Sequence, residues 1–323
     1  SFVRNEDYNW SSEWQHHQGP AYLDSITFKF IEEDQTRSAT LETGEVNLVE
    51  VLPPADVARF EGDPNFYVLK QVAGGLPDFS FVNTEKFPTD DLAVRQALAW
   101  ATDQEVVSEV TYFGVWPPAY APLSSVTLCY SKEAEIYHYD PEKAKAILEE
   151  AGWVDTNGDG IREKDGKPLK ILMTREPPWH QYAELLQAQY REVGFDMEIR
   201  ELASAAYYDF NTRGEANLAN QGWISSEPSV FEGCFLSEAA DGMGWSKVRD
   251  TELDELINTG RKTLDVEKRC EIYAEVQKMI MENVWMIPHY QQTQVLGVRR
   301  GIEGIRFDVR GWYLYFYDTY MTE

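Results

Sequence analysis

The segment from Tyr139 to Met173 constrains the fold of this chain more than any other stretch. Asp140 is placed to cap a helix, Pro141 suits the first helical position, and apolar residues recur at helical spacing until Gly152. A loop rich in Asp and Gly follows, and then PLKILM, which is typical of a strand. A helix joined to a strand by a polar turn predicts an α/β protein with open sheets covered by helices.

The loop in that segment, DTNGDG, has the pattern of the first half of a calcium-binding EF-hand loop. Counting from Asp155, the twelfth position should carry a bidentate Glu, but it holds Gly166. Paired glycines with Asp and Asn also suit a tight turn, because these residues tolerate positive φ and hydrogen-bond to their own backbone. We therefore interpret the loop as a structural turn and predict no metal site.

Helices and strands alternate along the rest of the chain. The predicted strands are 26–30, 46–51 and 195–199, and the predicted helices are 34–41 (ended by Gly44), the segment that opens with PPADVARF, 182–193, and two helices capped by Asp250 and Asp265. A length of 323 residues suggests two domains. The sequence contains no apolar run long enough to span a bilayer.

The formal net charge of −26 argues against a nucleic-acid partner, because phosphates require a basic surface. The charge is spread along the sequence, which is typical of a solvated surface. An adaptation to high salt and a preference for cationic ligands are the alternatives. Cys270 falls on the apolar face of a predicted helix and is interpreted as a buried thiol. Cys129 and Cys234 are either joined by a disulfide or both reduced.

The motifs of the common enzyme classes are absent from the sequence. It has no GxSxG, HExxH, GxxxxGK[ST] or CxxC pattern, and nothing in it requires a cofactor. The five histidines are scattered, and the adjacent pair His16 and His17 is interpreted as solvated surface. We predict that the chain is not an enzyme. A secreted hydrolase is the alternative from another class, and turnover of a peptide or glycan would decide for it.

Aromatic residues in segments of loop composition are the best candidates for a binding site, because ring faces suit sugar rings and bulky peptide side chains. Polar neighbours would then fix the orientation of the ligand. The candidates are Trp116 and Tyr120 among prolines, Arg175 and Trp179 after a strand, Trp223, Ser225, Ser226 and Glu227 after another strand, and Trp245 in GMGWS. We expect at least two of the tryptophans to contact the ligand.

Several segments, in order, resemble the family 5 extracellular solute-binding proteins of ABC importers, which include peptide, nickel and oligosaccharide receptors. They are VRNEDYNW, the passage 22–60, LAVRQALAWATDQEVV, YDPEKAKAILEEAGW with the loop after it, YAELLQAQYREVGFDMEIREL, WSKVRDTELDELI, EKRCEIYAEVQKMIMENVWMIPHY and GIEGIRFDVRGWYLYFYDTY. The resemblance covers essentially the whole chain. It implies a fold like that of type II periplasmic binding proteins, with two lobes of mixed sheets covered by helices.

The resemblance also implies a domain organisation. Residues 1–85 and 289–323 would form one lobe, 86–288 would form a second, complete lobe, and the solute would lie between them. Family members begin with a long segment that this sequence does not contain, so we expect the first lobe to be incomplete and the fragment to bind solute weakly. An extracytoplasmic location follows from the family, either periplasmic or anchored as a lipoprotein through that segment.

The family further implies site residues and partners. Peptide-binding members carry an Asp shortly after the residue equivalent to Trp223, and it pairs with the ligand's amino terminus. Here Ser225 and Ser226 stand there, so either Glu227 supplies the charge or no free amino group is bound. Arg175 resembles the arginine that meets a dipeptide carboxylate, and Phe79, Phe81 and Asn83 lie on a strand resembling one that presents main-chain groups to extended ligands.

The function implied is that of a monomeric receptor for an oligopeptide, with an oligosaccharide as the alternative. Its partners would be that solute and the transmembrane permease subunits of the importer.

Overall fold

The structure is a computed structural model that describes residues 1–177 and 179–322. Its strands are β1 (Phe2–Val3), β2 (Ser25–Ile26), β3 (Leu48–Glu50), β4 (Phe66–Val72), β5 (Gly75–Val82), β6 (Glu163–Lys164), β7 (Lys167–Pro168), β8 (Lys170–Arg175), β9 (Asp196–Glu201), β10 (Leu218–Ile224), β11 (Met286–Tyr290), β12 (Thr293–Arg299), β13 (Ile302–Glu303), β14 (Arg306–Phe307), β15 (Leu314–Tyr315) and β16 (Tyr320–Met321). Its α-helices are α1 (Asp34–Thr43), α2 (Val57–Glu61), α3 (Leu92–Trp100), α4 (Gln104–Tyr112), α5 (Pro141–Glu150), α6 (Ala183–Glu192), α7 (Ser204–Thr212), α8 (Glu232–Phe235), α9 (Thr251–Gly260) and α10 (Val266–Glu282).

The chain forms two compact units. Unit 1 consists of Ser1–Ala73 and Thr293–Glu323, and unit 2 consists of Gly74–Gln292. The lobes expected from the sequence have different limits, at 85/86 and 288/289, so strand β5 belongs to unit 2 here. The assignment of lobes to this chain stays a prediction.

Unit 2 is built on a five-stranded sheet with the order β11-β5-β10-β8-β9. β10, β8 and β9 run parallel, whereas β5 is antiparallel to both of its neighbours, so the sheet is mixed. Every residue of β5 is buried, which is typical of a central strand covered on both faces. Helices and strands of unit 2 form one large apolar core. The helix predicted at 182–193 spans Ala183–Glu192 and contributes its buried side chains to this core.

Gly75 shows how closely two strands of this sheet approach each other. Its φ is +110°, and a Cβ built on it would lie 2.0 Å from the carbonyl oxygen of Trp223 and 2.5 Å from the amide nitrogen of Ser225. Any other residue would therefore clash with the backbone of the neighbouring strand end. Glycine at this position lets the segment after β10 lie directly against the start of β5.

The predicted helix caps are confirmed. Asp140 accepts a hydrogen bond from the amide of Lys143, with Pro141 at the first helical position. Asp250 and Asp265 cap α9 and α10 in the same way. Such caps are local interactions that satisfy otherwise unpaired amides at a helix start, which explains why the sequence predicts them.

The DTNGDG loop forms the turn expected between α5 and the strands that follow. Asp155 accepts hydrogen bonds from the amides of Gly158 and Gly160, and these bonds, led by that of Gly158, hold the pKa of the Asp155 carboxyl below its usual range. Carboxylate oxygens of Asp155, Asp159 and Glu163 lie within 4.8 Å of one another. Their bonds to the loop's own amides and side chains account for this arrangement.

Unit 1 contains a three-stranded antiparallel sheet with the order β3-β12-β4 and several two-stranded pairs. The predicted strand at 26–30 is wrong, because only Ser25–Ile26 pairs, with β1. Phe28 and Phe30 are 46% and 96% exposed, so the alternation of apolar residues there does not reflect a buried strand face. The helix predicted at 34–41 extends to Thr43 and ends at Gly44 in the left-handed conformation.

A polar network in unit 1 surrounds Asp318. His17 Nδ1 lies 2.9 Å from Asp318 Oδ1, and its Nε2 lies 2.9 Å from the carbonyl oxygen of Pro20. Arg306 donates to the other carboxylate oxygen, and the imidazole ring stacks between Tyr22 and Tyr317. The interpretation of His17 as solvated surface is therefore wrong.

The cysteines match neither of the two possibilities given for Cys129 and Cys234, a disulfide between them or two free thiols. Cys129 is bonded to Cys270 in α10, and Cys234 is a free, buried thiol. The interpretation of Cys270 as a thiol is wrong for the same reason. The bond joins the loop after α4 to α10 within unit 2.

Across residues 1–177 and 179–322, no helix combines the length and apolar character that crossing a membrane requires.

Candidate functional site

Four of the residues proposed as ligand contacts are enclosed within unit 2. Phe79, Phe81 and Trp245 are at most 2% exposed and pack against one another and other aromatic rings. Asn83 is 2% exposed and donates to the carbonyl oxygens of Gly214 and Ala216. These side chains are buried in this arrangement, and their part in ligand binding stays a prediction.

Arg175 is engaged by two carboxylates. Its guanidinium lies 2.8 Å from Glu184 and also pairs with Glu201, and these hydrogen bonds raise its pKa despite the opposing effect of burial. Tyr120 similarly donates to Glu105 at 2.7 Å and packs on His138. Among the contacts of the described residues, neither side chain touches another of the candidate residues.

The segment from Trp223 to Glu227 follows the bulge in β10, where Trp223 is opposite Leu76 of β5. Trp223 is 36% exposed, and Trp179 in another loop is 60% exposed. Ser225 and Glu227 hydrogen-bond to each other, and Ser226 is half-buried. Glu227 Oε2 lies 2.5 Å from Arg269 Nη2 in α10, so the negative charge of Glu227 is already paired.

Trp116 belongs to a cluster of aromatic rings at the edge of the sheet. Its indole stacks on Tyr112 with centroids 4.3 Å apart and lies 5.3 Å from Tyr290. Tyr290 in turn contacts Tyr182, which precedes α6, at 5.6 Å. Three separate parts of the chain thus supply one largely buried aromatic cluster at the carboxyl ends of β8 and β11. Such edges are where α/β sheets usually bind ligands.

Asp78 stands within this cluster, on β5 opposite Tyr290. The hydroxyl of Tyr182 donates to Asp78 Oδ1, and Asn220 of β10 donates to the same hydroxyl. His180 Nδ1 lies 3.1 Å from Asp78 Oδ2. Because β5, β8 and β10 are neighbours or near neighbours in the sheet, the network is fixed by the strand order. We call Asp78, His180, Tyr182, Asn220 and His289 the Asp78 network.

His289 completes the network from β11. Its Nε2 lies 2.8 Å from Ser80 Oγ, and its ring lies 4.9 Å from that of Tyr182. Burial, opposed by the charge of Asp78 and assisted by His180, lowers the pKa of His289 to about 4. Burial and the nearby charge of Asp78 raise the pKa of Tyr182 and Tyr290 well above the ordinary value. The network therefore carries neutral tyrosines and a neutral His289 around one carboxylate.

Several buried polar atoms of this region have no hydrogen-bond partner among the described residues. They are His180 Nδ1, His289 Nδ1, Asn220 Oδ1 and Trp116 Nε1. Buried polar groups in folded proteins are nearly always paired, so these atoms can exchange hydrogen bonds with a water or another small polar molecule. The arrangement is suited to holding a polar group against aromatic rings.

The sequence analysis missed Asp78, His180, Tyr182, Asn220 and His289. One signal was present, because polar residues interrupt two apolar strands, GLPDFSFV and MIPHY. A polar side chain in a strand buried on both faces must find a partner or serve a function. Which loops would meet these strands could not be read from the sequence.

Comparison with known proteins identifies the family. Residues 1–240 match the family described as "Bacterial extracellular solute-binding proteins, family 5 Middle". The chain is 29% identical over 290 residues to Heme-binding protein A of Haemophilus influenzae, covering 89% of this chain and 50% of that protein. It is 28% identical over 293 residues to the Dipeptide-binding protein of Escherichia coli, covering 90% of this chain and 54% of that protein. The chain thus spans about half the length of these curated relatives.

Solved structures show the same fold. The oligopeptide-binding protein AppA from Bacillus subtilis, in complex with a nonapeptide, superposes with a TM-score of 0.79 at 23% identity, covering 98% of this chain and 66% of that one. NikA from Brucella suis, in complex with Fe(III)-EDTA, gives a TM-score of 0.84 at 22% identity, covering 94% and 63%. The expected fold, that of periplasmic binding proteins with mixed sheets and helices, is confirmed. With a match over residues 1–240 of 323, the chain belongs to the family 5 bacterial extracellular solute-binding proteins.

Proposed function

We propose that this protein is the extracytoplasmic solute-binding receptor of an ABC importer and that its solute is an oligopeptide or a similar small polar molecule. The observation that carries the proposal is the family match over residues 1–240. The relatives add support, since they include dipeptide- and oligopeptide-binding proteins. The partner would be the permease of the importer, which takes the solute from a monomeric receptor.

The geometry of unit 2 is consistent with reversible binding. The Asp78 network combines unpaired polar atoms with aromatic rings, the combination that small-molecule sites use for orientation and contact area. Binding requires only a difference in affinity between the conformations that the permease distinguishes. We further propose that residues 1–85 with 289–323 and residues 86–288 are the two lobes of the receptor.

An oligosaccharide is the second candidate solute. Trp179 and Trp223 expose 60% and 36% of their surface, and exposed indole faces stack well on sugar rings. The peptide hypothesis is preferred because the relatives include dipeptide- and oligopeptide-binding proteins, whereas none of those named above is described as binding an oligosaccharide.

Native mass spectrometry of the protein expressed from its complete gene tests this proposal. We expect a co-purified solute that is released on unfolding and whose mass and fragments identify a peptide. Release of a glycan would favour the second candidate. If the protein instead cleaved peptides or glycans with turnover, the hydrolase alternative would replace the receptor function.

A further inference from the structure

A cavity of about 320 Å³ in unit 2 is lined by polar side chains and one proline. It is formed where the segment that begins at Glu227, helix α8 and the end of α9 meet helix α10. The polar side chains are those of Glu227, Ser229, Glu232, Arg261, Arg269 and Tyr273. None of them belongs to the Asp78 network. We call this space the Tyr273 cavity.

Two ion pairs line the Tyr273 cavity. Glu227 Oε2 lies 2.5 Å from Arg269 Nη2, and Glu232 Oε2 lies 2.9 Å from Arg261 Nη1. The side chains of Glu227 and Arg261 are 47% and 40% exposed, so the cavity is open to solvent on this side. Each pair engages one nitrogen of its guanidinium, and a guanidinium carries five N–H donors. The ion pairs therefore occupy the carboxylates and leave N–H donors unused.

The inner end of the cavity carries donors that are buried and unpaired. Tyr273 is 0% exposed, and within the described part of the chain neither its hydroxyl nor Arg269 Nε has a hydrogen-bond partner. A Cβ added to Gly260 would lie 2.8 Å from the Tyr273 ring, so the end of α9 packs closely on this ring and restricts its movement. Unpaired polar groups are rare at buried positions, because each loses its bonds to water on folding.

The Tyr273 hydroxyl lies close enough to both ion pairs to be affected by their charges. Burial and the charge of Glu232 raise the pKa of Tyr273 to about 12, Glu227 adds to the shift, and Arg269 and Arg261 oppose it. The hydroxyl thus stays protonated at neutral pH and can donate a hydrogen bond. Its position among all four charged groups agrees with its place in the lining of the cavity.

These groups together favour a guest that supplies acceptors. Tyr273 Oη, Arg269 Nε and the remaining N–H groups of Arg261 are donors, and guanidinium groups bind carboxylate, sulfate and phosphate oxygens with charge-assisted hydrogen bonds. Each glutamate already faces an arginine, so its repulsion of an anion is offset. The cavity also has far more space than the single water that one unpaired hydroxyl would need.

We propose that the Tyr273 cavity binds a small oxyanion, whose oxygens accept hydrogen bonds from Tyr273 Oη, Arg269 Nε and the guanidinium of Arg261. The ligand class comprises inorganic phosphate, sulfate and small carboxylates. This binding goes beyond the proposed uptake of a solute, and neither function depends on the other.

Isothermal titration calorimetry with phosphate, sulfate and acetate tests the proposal. The titrations use the protein expressed from its complete gene, in Tris buffer at pH 7.5 and at constant ionic strength set with sodium chloride. We expect at least one probe to bind saturably with a Kd of about 1 mM or tighter. The three probes also distinguish tetrahedral oxyanions from carboxylates. Absence of saturable binding below about 10 mM for all three would overturn the proposal.

Tyr273→Phe removes only the unpaired hydroxyl and should weaken binding of the probe about fivefold or more, because one hydrogen bond to the anion is lost. Tyr190→Phe is the matched control, since Tyr190 is equally buried in unit 2 and its hydroxyl already bonds to Thr102 at 2.9 Å. The control should bind the probe as the wild type does.

Thermal unfolding separates this role from a structural one. Without the probe, Tyr273→Phe should unfold at the same temperature as the wild type or higher, because the hydroxyl that it removes is buried and unpaired. Tyr190→Phe should unfold at a lower temperature. Saturating probe should raise the unfolding temperature of the wild type more than that of Tyr273→Phe, since a ligand stabilises the state that binds it.

A second variant places the ion independently of Tyr273. Arg261→Gln should also weaken binding about fivefold or more, whereas Arg200→Gln, which changes an arginine of similar exposure paired with Glu198, should not. Affinity unchanged in both Tyr273→Phe and Arg261→Gln would show an adventitious ion only, bound elsewhere, and would overturn the proposal. The receptor function would stand in that case, because its test is the identity of a co-purified solute.

Discussion

Two histidine–carboxylate pairs, one in each unit, look alike and differ in how completely they are bonded. In unit 1 His17 uses both ring nitrogens and is stacked between two tyrosines, and Asp318 also binds Arg306. In unit 2 His180 approaches Asp78 at 3.1 Å without a hydrogen bond. In the first pair both ring nitrogens of His17 and both oxygens of Asp318 are bonded, which is typical of a structural element. The second retains unused bonding capacity at His180 Nδ1.

The two units also differ in how deeply they bury particular aromatic side chains. Unit 2 buries Trp153, Trp245 and many Phe and Tyr side chains in one core. Unit 1 leaves Trp10 and Trp14 at 66% and 56% exposure. Apolar surface removed from water stabilises a fold roughly in proportion to its area, so stability should depend strongly on Trp153 and Trp245 of unit 2 and weakly on Trp10 and Trp14 of unit 1.

The largest expected effect on stability is that of replacing a buried tryptophan rather than an exposed one. Trp245→Ala should lower the free energy of unfolding by about 4 kcal/mol, because it removes a large side chain from a filled core. Trp10→Ala should change it by less than about 1 kcal/mol, as is usual for exposed positions. Urea unfolding followed by far-ultraviolet circular dichroism measures both. Equal losses in the two variants would contradict the assignment of the main core to unit 2.

His289 should make the stability of unit 2 depend on pH. The neutral form persists in the folded protein down to a pKa of about 4, whereas the unfolded chain takes up a proton near 6.5. Between these values the unfolded chain binds more protons, so the free energy of unfolding falls as the pH falls, by up to about 3 kcal/mol.

Urea unfolding between pH 4.5 and 7 checks this dependence. His289→Asn should reduce it, and His16→Asn, which changes an exposed histidine of unit 1, should not. A pH profile identical in all three proteins would exclude His289 as the cause.

The disulfide should stabilise unit 2 by about 3 kcal/mol, since it closes a long loop in the unfolded chain. The bonded cysteines are 141 residues apart in sequence. The double variant Cys129→Ala/Cys270→Ala and the dithiothreitol-reduced protein should lose the same stability. Iodoacetamide added to the unfolded, unreduced protein should label one cysteine, Cys234, and labelling of three would show that the bond is absent.

The smallest expected effect is the loss of stability when the two carboxylates, Asp318 and Asp78, are replaced one at a time. Asp318→Asn should cost about 2 kcal/mol, because Arg306 and His17 lose a charged acceptor. Asp78→Asn should cost less than about 1 kcal/mol, because an amide oxygen still accepts from Tyr182 and no Arg or Lys depends on the charge. Thermal and urea unfolding of both variants measure the difference. A larger cost at Asp78 would indicate that its pair is structural as well.

Local features of the fold were predictable, and features that need distant partners were not. The caps at Asp140, Asp250 and Asp265 depend on residues two or three positions away. The strand expected at 26–30 needed a partner strand, which the structure provides only for Ser25–Ile26. The pairing of Cys129 with Cys270 required two helices and loops to bring their Cα atoms within 4.5 Å.

The candidate site shows the same limit. Trp116 was selected from its place among prolines, and it does lie beside the Asp78 network. Arg175 was selected because it resembles an arginine that meets a dipeptide carboxylate, but Glu201, 26 residues later on the neighbouring strand, pairs with it. Trp245 was selected from a glycine-rich loop, yet its ring is buried against Phe81. Loop composition indicates where aromatic residues occur and does not indicate which face of the fold they cover.

The sequence by itself determined the family, through the resemblance of its segments in order, and it determined the α/β class, the helix ends and the DTNGDG turn, because these depend on periodicity and on contacts between near neighbours. Only the tertiary structure decided how the carboxylates are paired. Strand order places Asp78 beside His180 and Tyr182, and helix packing places Arg269 against Glu227. Charge pairing depends on distances of a few ångströms between residues far apart in the chain, and the packing of the sheet and helices sets those distances.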